Sequence, residues 1–118
     1  MRLRQLEATF VRILRDEEKI GDEVGHHVFR EIGDRRDGAD GVMFLCPKCF
    51  AANGGRVGTH CVICSFAHVP QTVSPQPGRW EPAGAGLDDL TFTGPGAASV
   101  LLIGGCGWHG FLKNGDAT

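Results

Sequence analysis

The sequence predicts a small α+β protein, mainly antiparallel β, with an amphipathic helix at its N-terminus. The first observation is a change of character near Gly41, because residues 1–40 hold 8 of the 12 basic and 10 of the 14 acidic residues. The second is that short β-like runs alternate with glycine and proline from Gly41 onward. The third is a set of cysteine and histidine pairs at metal-ligand spacing, which indicates a zinc-stapled sheet resembling a zinc ribbon.

The N-terminal segment carries apolar residues at helical spacing. They are Leu3, Leu6, Phe10, Ile13 and Leu14. Recurrence every three or four positions lines one face of a helix, and we predict that helix over about residues 2–20. Gly21 is expected to end it, and residues 27–32 then form a short strand or one further turn. Residues 33–40 are rich in Gly and Asp, which predicts a solvated loop.

The remainder of the chain is predicted to form the sheet. The β-like runs are Val42–Leu45, Val57–Ile63, Arg79–Glu81, Leu90–Thr93, Ser99–Ile103 and Gly110–Lys113. Asn53-Gly54-Gly55 and Asn114-Gly115 suit tight turns, because Asn and Gly tolerate positive φ angles. We therefore divide the chain into an N-terminal helical arm with a charged loop, residues 1–40, and a glycine-rich zinc-binding β domain, residues 41–118.

Two short segments have the form of metal-binding turns. Cys46 and Cys49 enclose Pro-Lys, a predicted strand leads into the turn, and the proline presets its φ angle. Cys106 and His109 enclose Gly-Trp, and neighbouring glycines allow a tight turn at the tip of a predicted hairpin. Zinc takes four ligands in a tetrahedron. We predict a structural Zn²⁺ held by Cys46, Cys49, Cys106 and His109.

A third pair, Cys61 and Cys64, offers an alternative second half of the site. The two residues between them are β-branched, which favours an extended strand in which side chains three apart point to opposite faces. In such a strand His60 and Cys64 share one face and form a further candidate pair. Cys61, Cys64 and His60 are therefore kept as alternative ligands, and a lone cysteine here can also be a small buried apolar residue.

Charge and composition bear on the class of function. The net charge is −2, and only four basic residues follow Gly41, so nucleic-acid binding is not expected. A closed, thiolate-rich site leaves no coordination position for water, unlike a catalytic zinc site, so we predict a protein that is not an enzyme. No run of about 18 apolar residues occurs, which predicts no membrane span. C-x-x-C spacing without a secretion signal indicates folding in a reducing cytoplasm.

Five strings occur in order along residues 41–116. They are Phe44-Leu-Cys-Pro-Lys-Cys-Phe50, Asn53-Gly-Gly-x-Val-Gly-Thr-His60, Pro77-Gly-Arg-Trp80, Gly86-Leu-Asp-Asp-Leu-Thr-Phe92 and Gly104-Gly-Cys-Gly-Trp-His-Gly-Phe111. Together they resemble small zinc-knuckle proteins encoded by tailed bacteriophages and prophages. Residues 1–40 lie outside this resemblance.

The resemblance implies a viral context for the protein. We expect a non-enzymatic structural component of the virion, in head or tail assembly, that folds in the host cytoplasm. Its partners would be other phage structural proteins, contacted through the N-terminal helix, in an oligomeric assembly. The alternatives are a phage-encoded inhibitor that binds host machinery and a zinc-ribbon regulator that binds nucleic acid.

Overall fold

The computed structural model describes residues 1–14, 29–73, 76–94, 99–101 and 106–118. Within these ranges, one turn of 3₁₀ helix at Leu3–Leu6 precedes ten strands and a single α-helix. The strands are β1 (Thr9–Ile13), β2 (Phe29–Gly33), β3 (Gly41–Leu45), β4 (Cys61–Ser65), β5 (Glu81–Ala83), β6 (Thr91–Thr93), β7 (Val100–Leu101), β8 (His109–Gly110), β9 (Leu112–Lys113) and β10 (Asp116–Ala117). Helix α1 spans Pro47–Asn53, between β3 and β4.

Four strands form one antiparallel sheet in the order β2-β1-β3-β4. β3 pairs with β4 along its whole length, from Gly41 opposite Ser65 to Leu45 opposite Cys61. A Cβ at position 41 would lie 2.6 Å from the carbonyl oxygen of Cys64, so the close approach of the two strands requires glycine there. The other strands form three antiparallel ladders, β5–β6, β7–β8 and β9–β10. The predicted fold class, small α+β and mainly antiparallel, is confirmed.

The predicted N-terminal helix is wrong for the described residues. The 3₁₀ turn ends at Glu7, whose φ of 53° is left-handed, and β1 begins two residues later. Apolar residues three or four apart are instead shared between two elements: Leu3 and Leu6 on the turn and Phe10 on β1, all fully buried. Pairing of β1 with two neighbouring strands decides its conformation. The rest of the predicted helix, residues 15–20, and Gly21 lie outside the described residues.

Strand pairing crosses the predicted boundary between residues 1–40 and 41–118. Thr9, Phe10 and Val11 lie opposite Met43, Val42 and Gly41, respectively, so β1 and β3 are direct neighbours. The division into an arm and a β domain stays a prediction. What the pairing establishes is that residues before position 41 supply an inner strand of the main sheet.

The two glycine-containing segments predicted as tight turns have different roles in the structure. Asn114 and Gly115 join β9 to β10 with φ angles of 50° and 75°, the positive values of a type I′ hairpin turn. Gly54, at φ 68°, ends α1 as its left-handed cap, so the Asn-Gly-Gly string closes a helix and not a hairpin. The strand predicted from Val57 consequently starts later, at Cys61.

The core lies between the main sheet and the later ladders. Phe66 is its aromatic centre, with ring centroids 6.3 Å from Phe10 and 6.4 Å from Phe92. Trp80 stacks on Phe92 at 5.6 Å and donates its indole N–H to the carbonyl of Ser99. Phe10 lies in β1, Phe66 directly follows β4, and Phe92 lies in β6, so the aromatic contacts join distant parts of the chain.

Residues at the beginning and end of the chain pair with each other. The Met1 amino group donates to the Ala117 carbonyl at 2.8 Å, and the Ala117 N–H donates to the Met1 carbonyl at 2.8 Å. The Arg4 guanidinium contacts both carboxylate oxygens of Asp88, at 2.6 and 3.0 Å. This ion pair lowers the pKa of Asp88 below its ordinary value of 3.8.

No helix among the described residues combines the length and the apolar character needed to cross a membrane.

Candidate metal centre

Cys46 and Cys49 lie where β3 turns into α1. Cys46 is the N-cap of the helix and Pro47 occupies its first position, where the missing N–H costs nothing and the fixed φ fits the helix. The Cys46 carbonyl accepts the N–H of Phe50 at 2.8 Å, which fixes the first turn. Three residues along that turn, Cys49 lies on the same side as Cys46. The C-x-x-C segment therefore presents two sulfurs from a strand-to-helix corner.

His60 comes to the same corner through the pairing of β3 with β4. The Cys46 N–H donates to the His60 carbonyl at 2.9 Å, one step beyond the pair formed by Leu45 and Cys61. Cys46 is the residue directly after β3, and His60 is the residue directly before β4. The two residues therefore face each other across the ladder. Its side chain is exposed.

Cys106 reaches the corner from the far end of the chain. Lys48 on α1 donates from Nζ to the Cys106 carbonyl at 2.7 Å, which ties the Cys106 segment to the helix. Two residues on, Trp108 is buried with its ring edge-on to Phe44 of β3, at a centroid distance of 6.0 Å. A polar contact and an aromatic contact therefore hold this segment against β3 and α1.

The ligand atoms of Cys46, Cys49, His60 and Cys106 all lie within 4.8 Å of one another. The Cys106 Sγ is 3.4 Å from the Cys46 Sγ and 3.4 Å from the His60 Nε2. Cys46 is fully buried, Cys49 and Cys106 are half-buried, and His60 is exposed, so the group has one face toward the core and one toward solvent. Four such donors converging on one point could hold a metal ion.

The thiols of this group have unlike proton affinities. Hydrogen bonding to His60, followed by the backbone N–H of Trp108, lowers the pKa of Cys106 to about 6. Burial, followed by hydrogen bonds to Cys106 and Cys46, raises the pKa of Cys49 to about 11. The Cys49 thiol therefore holds its proton more tightly than the Cys106 thiol does. A cation at the centre would take the place of that proton, because thiolates are the metal-binding form.

His109, predicted as the fourth ligand, is not part of the group. It lies in β8 opposite Leu101, it is exposed, and its ring centroid is 6.0 Å from that of Phe111. The physical reason is its neighbour Trp108, which is buried against the core. Since successive side chains of an extended segment point to opposite sides, burial of Trp108 turns His109 toward solvent. The structure brings in His60 instead.

Cys61 and Cys64, the alternative ligands, point to opposite faces of β4. Cys61 is exposed, whereas Cys64 is fully buried among apolar residues and its pKa is raised by that burial. The extended conformation expected from the two β-branched residues between them is confirmed. His60 does not pair with Cys64, because it belongs to the corner before the strand.

The sequence did contain a signal for His60 as a partner of Cys46. A strand before the C-x-x-C segment and a strand after it form an antiparallel pair across a short helix, so the residues just outside the pair come together. That signal can be used only when the register between β3 and β4 is known, in which Leu45 lies opposite Cys61. Register is set by which strand faces enter the core, and this information is spread over the whole fold.

Comparison with models of known protein families, with curated proteins and with solved structures gives no match for this chain.

Proposed function

We propose that Cys46, Cys49, His60 and Cys106 bind one Zn²⁺, and that this ion is a structural staple in a protein without enzymatic activity. The observation that carries the proposal is the convergence of four ligand atoms within 4.8 Å of one another. In a tetrahedral zinc site the sulfurs lie about 3.8 Å apart, and sulfur and nitrogen about 3.5 Å apart. The two distances of 3.4 Å at Cys106 are close to these values, so small side-chain movements complete the geometry.

The donor set favours zinc over the other common metals. Three thiols and one imidazole are soft to borderline ligands, whereas Mg²⁺ and Ca²⁺ take oxygen ligands. A Cys₃His set is a known form of structural zinc site. Catalytic zinc sites have three protein ligands and keep a position for water, whereas the four donors here would fill the tetrahedron. The donor set therefore supports a structural ion.

The positions of the ligands along the chain support the same role. Cys46 and Cys106 are 60 residues apart, so one ion would join the main sheet to the segment that leads into β8. Structural zinc contributes directly to folding free energy, and a small protein gains most from such a link because its core is limited. The exposed imidazole of His60 would close the solvent side of the site.

The fourth ligand gives the sharpest test of this proposal. We expect His60→Ala to lower zinc affinity by about 100-fold or more, since the site loses one of its four donors. His109→Ala is the matched control, because it removes the same side chain from another exposed position and is expected to leave affinity unchanged. Competition against a chromogenic chelator, with metal content by mass spectrometry, measures both. Zinc loss in the His109 variant alone would contradict the proposed ligand set.

A role as a structural component of a phage particle, in head or tail assembly, stays part of the proposal. It is supported by the resemblance of the five strings in residues 41–116 to phage-encoded zinc-knuckle proteins. Among the described residues, Leu3, Leu6 and Phe10 of the predicted N-terminal helix are buried within the protein itself and offer no docking face. Partners in an oligomeric assembly would therefore meet other surfaces.

Fractionation of infected cells tests the particle role. We expect the protein to cosediment with purified particles and to stay bound after washing in high salt. Presence only in the soluble extract would contradict a virion role and favour the inhibitor of host machinery, which pull-down from that extract would then identify.

A further inference from the structure

We propose that oxidation by a peroxide exchanges the zinc staple for a covalent one, a disulfide between Cys46 and Cys106. The inference rests on the proposed zinc site and adds a mode of regulation to it. The two sulfurs are 3.4 Å apart, and they belong to the two segments that the metal would join. The protein would then keep the same long-range link in two chemical states, one with zinc and one without.

Contacts outside the cluster keep the two sulfurs together. The bond from Lys48 Nζ to the Cys106 carbonyl and the packing of Trp108 on Phe44 hold the Cys106 segment against the corner that carries Cys46. Neither contact uses a ligand atom. Loss of the metal therefore leaves the sulfurs close to each other, and they must approach by about 1.4 Å more to reach the length of a disulfide bond, about 2.0 Å.

Access decides which sulfur reacts first. Cys46 is 0% exposed, whereas Cys106 is half-buried and belongs to the side of the cluster that carries the exposed His60. A small oxidant such as hydrogen peroxide therefore meets Cys106 before Cys46. Cys46 lies behind it, in contact, and acts as the resolving thiol.

The reaction balances with hydrogen peroxide as the oxidant. The Cys106 Sγ attacks one peroxide oxygen, the O–O bond breaks, and a sulfenic acid forms while the other oxygen leaves as water after taking up a proton. The Cys46 Sγ then attacks the sulfenic sulfur, the S–S bond forms, and the S–O bond breaks with release of a second water. Two electrons pass from the sulfurs to the peroxide. Cys49 and His60 alone supply only two ligands, so Zn²⁺ is released.

A disulfide within the C-x-x-C segment is the competing product. It would join Cys46 to Cys49, which lie in one turn of chain, and would leave Cys106 unconnected to the sheet. Of these two products, only the 46–106 disulfide preserves the link across 60 residues. The two products therefore differ in what happens to the fold once the metal is gone, as well as in their peptide maps. A Cys49–Cys106 disulfide would also join the two segments, and finding it in the peptide map would contradict the proposed pairing.

The experiment treats the full-length zinc-loaded protein with hydrogen peroxide and follows zinc release, disulfide mapping and resistance to proteolysis. We expect one zinc released per disulfide, a cross-linked peptide pair containing Cys46 and Cys106, retained protease resistance, and reversal by dithiothreitol with zinc. Cys49→Ser should still form this disulfide. Cys46→Ser should not, and because it lacks a zinc ligand as well as the resolving thiol it should be protease-sensitive both before and after oxidation. Cys61→Ser serves as the control for the exposed thiol outside the cluster.

A Cys46–Cys49 disulfide, a Cys106 sulfinic acid, or zinc retention under conditions that modify Cys61 would overturn the proposal. The same treatment of metal-free protein separates this inference from the zinc proposal. If reduced protein fails to bind zinc yet still forms the 46–106 disulfide, zinc binding is wrong and the thiol pairing stands. If it binds zinc and forms another product, the redox inference alone fails.

Discussion

Replacing Cys106 with serine is expected to abolish stoichiometric zinc binding and to lower the free energy of unfolding by about 4 kcal/mol or more. Cys106 is the ligand that reaches the cluster from outside residues 46–60, and its sulfur contacts both Cys46 and His60. Without it a bound metal would no longer join the two parts of the chain. Metal content after gel filtration and chemical denaturation monitored by circular dichroism measure the two effects.

Cys61→Ser is the matched control for this experiment. It makes the same chemical change at an exposed cysteine one residue from His60 and outside the group of four. We expect full zinc stoichiometry and a change in unfolding free energy within about 0.5 kcal/mol. If the Cys61 variant loses the metal and the Cys106 variant keeps it, the alternative ligand set is correct and the one proposed here is not.

Truncation of Phe10 to alanine is expected to destabilise the protein by about 3–5 kcal/mol. Phe10 is fully buried in β1, pairs with Val42 of β3 and packs against Phe66. Its removal leaves a cavity in the core beside Phe66. Because Val42 and Phe66 are not proposed ligands, zinc binding by the folded fraction should remain. Denaturant unfolding of zinc-loaded protein, with metal content measured in parallel, checks both expectations.

Phe111→Ala provides the comparison for Phe10→Ala. The same atoms are removed from a ring that is 41% exposed, so the loss should be less than half as large. A detached N-terminal arm would give the opposite order, since Phe10 would then contribute little to the cooperative unfolding transition. Equally small losses of unfolding free energy at the two positions would contradict the inclusion of β1 in the cooperatively folded main sheet.

Local sequence signals predicted those parts of the fold in which a few neighbouring residues decide the conformation. Asn114-Gly115 forms a hairpin turn because both residues accept positive φ, and the run from Val42 to Leu45 forms a strand whose interior position suits continuous apolar residues. Residues 3–13 were mistaken for a helix because Leu3, Leu6 and Phe10 have helical spacing. Phe10 in fact lies opposite Val42 of β3, more than 30 positions away in the sequence. The spacing of apolar residues within 3–13 carries no information on that pairing.

The candidate metal site divides in the same way. Cys46 and Cys49 could be predicted because Pro47 and the preceding strand define a local corner. Cys106 could be predicted because its turn is rich in glycine. The choice of His60 over His109 could not, since it depends on the β3–β4 register and on which side of β8 is buried by Trp108. Both are properties of packing between elements.

The separation of the ligands along the chain sets the order in which the site can assemble during folding. Cys46, Cys49 and His60 come together as soon as β3, α1 and β4 form a local unit, because the loop to be closed is short. Cys106 is 46 residues beyond His60 and would be expected to reach the site only after the later ladders dock. With three ligands a nascent chain would bind zinc only weakly, as the Cys106→Ser variant is expected to do. The fourth ligand would bind only once the tertiary structure is complete. Tight zinc binding would therefore distinguish the finished fold from partly folded chains.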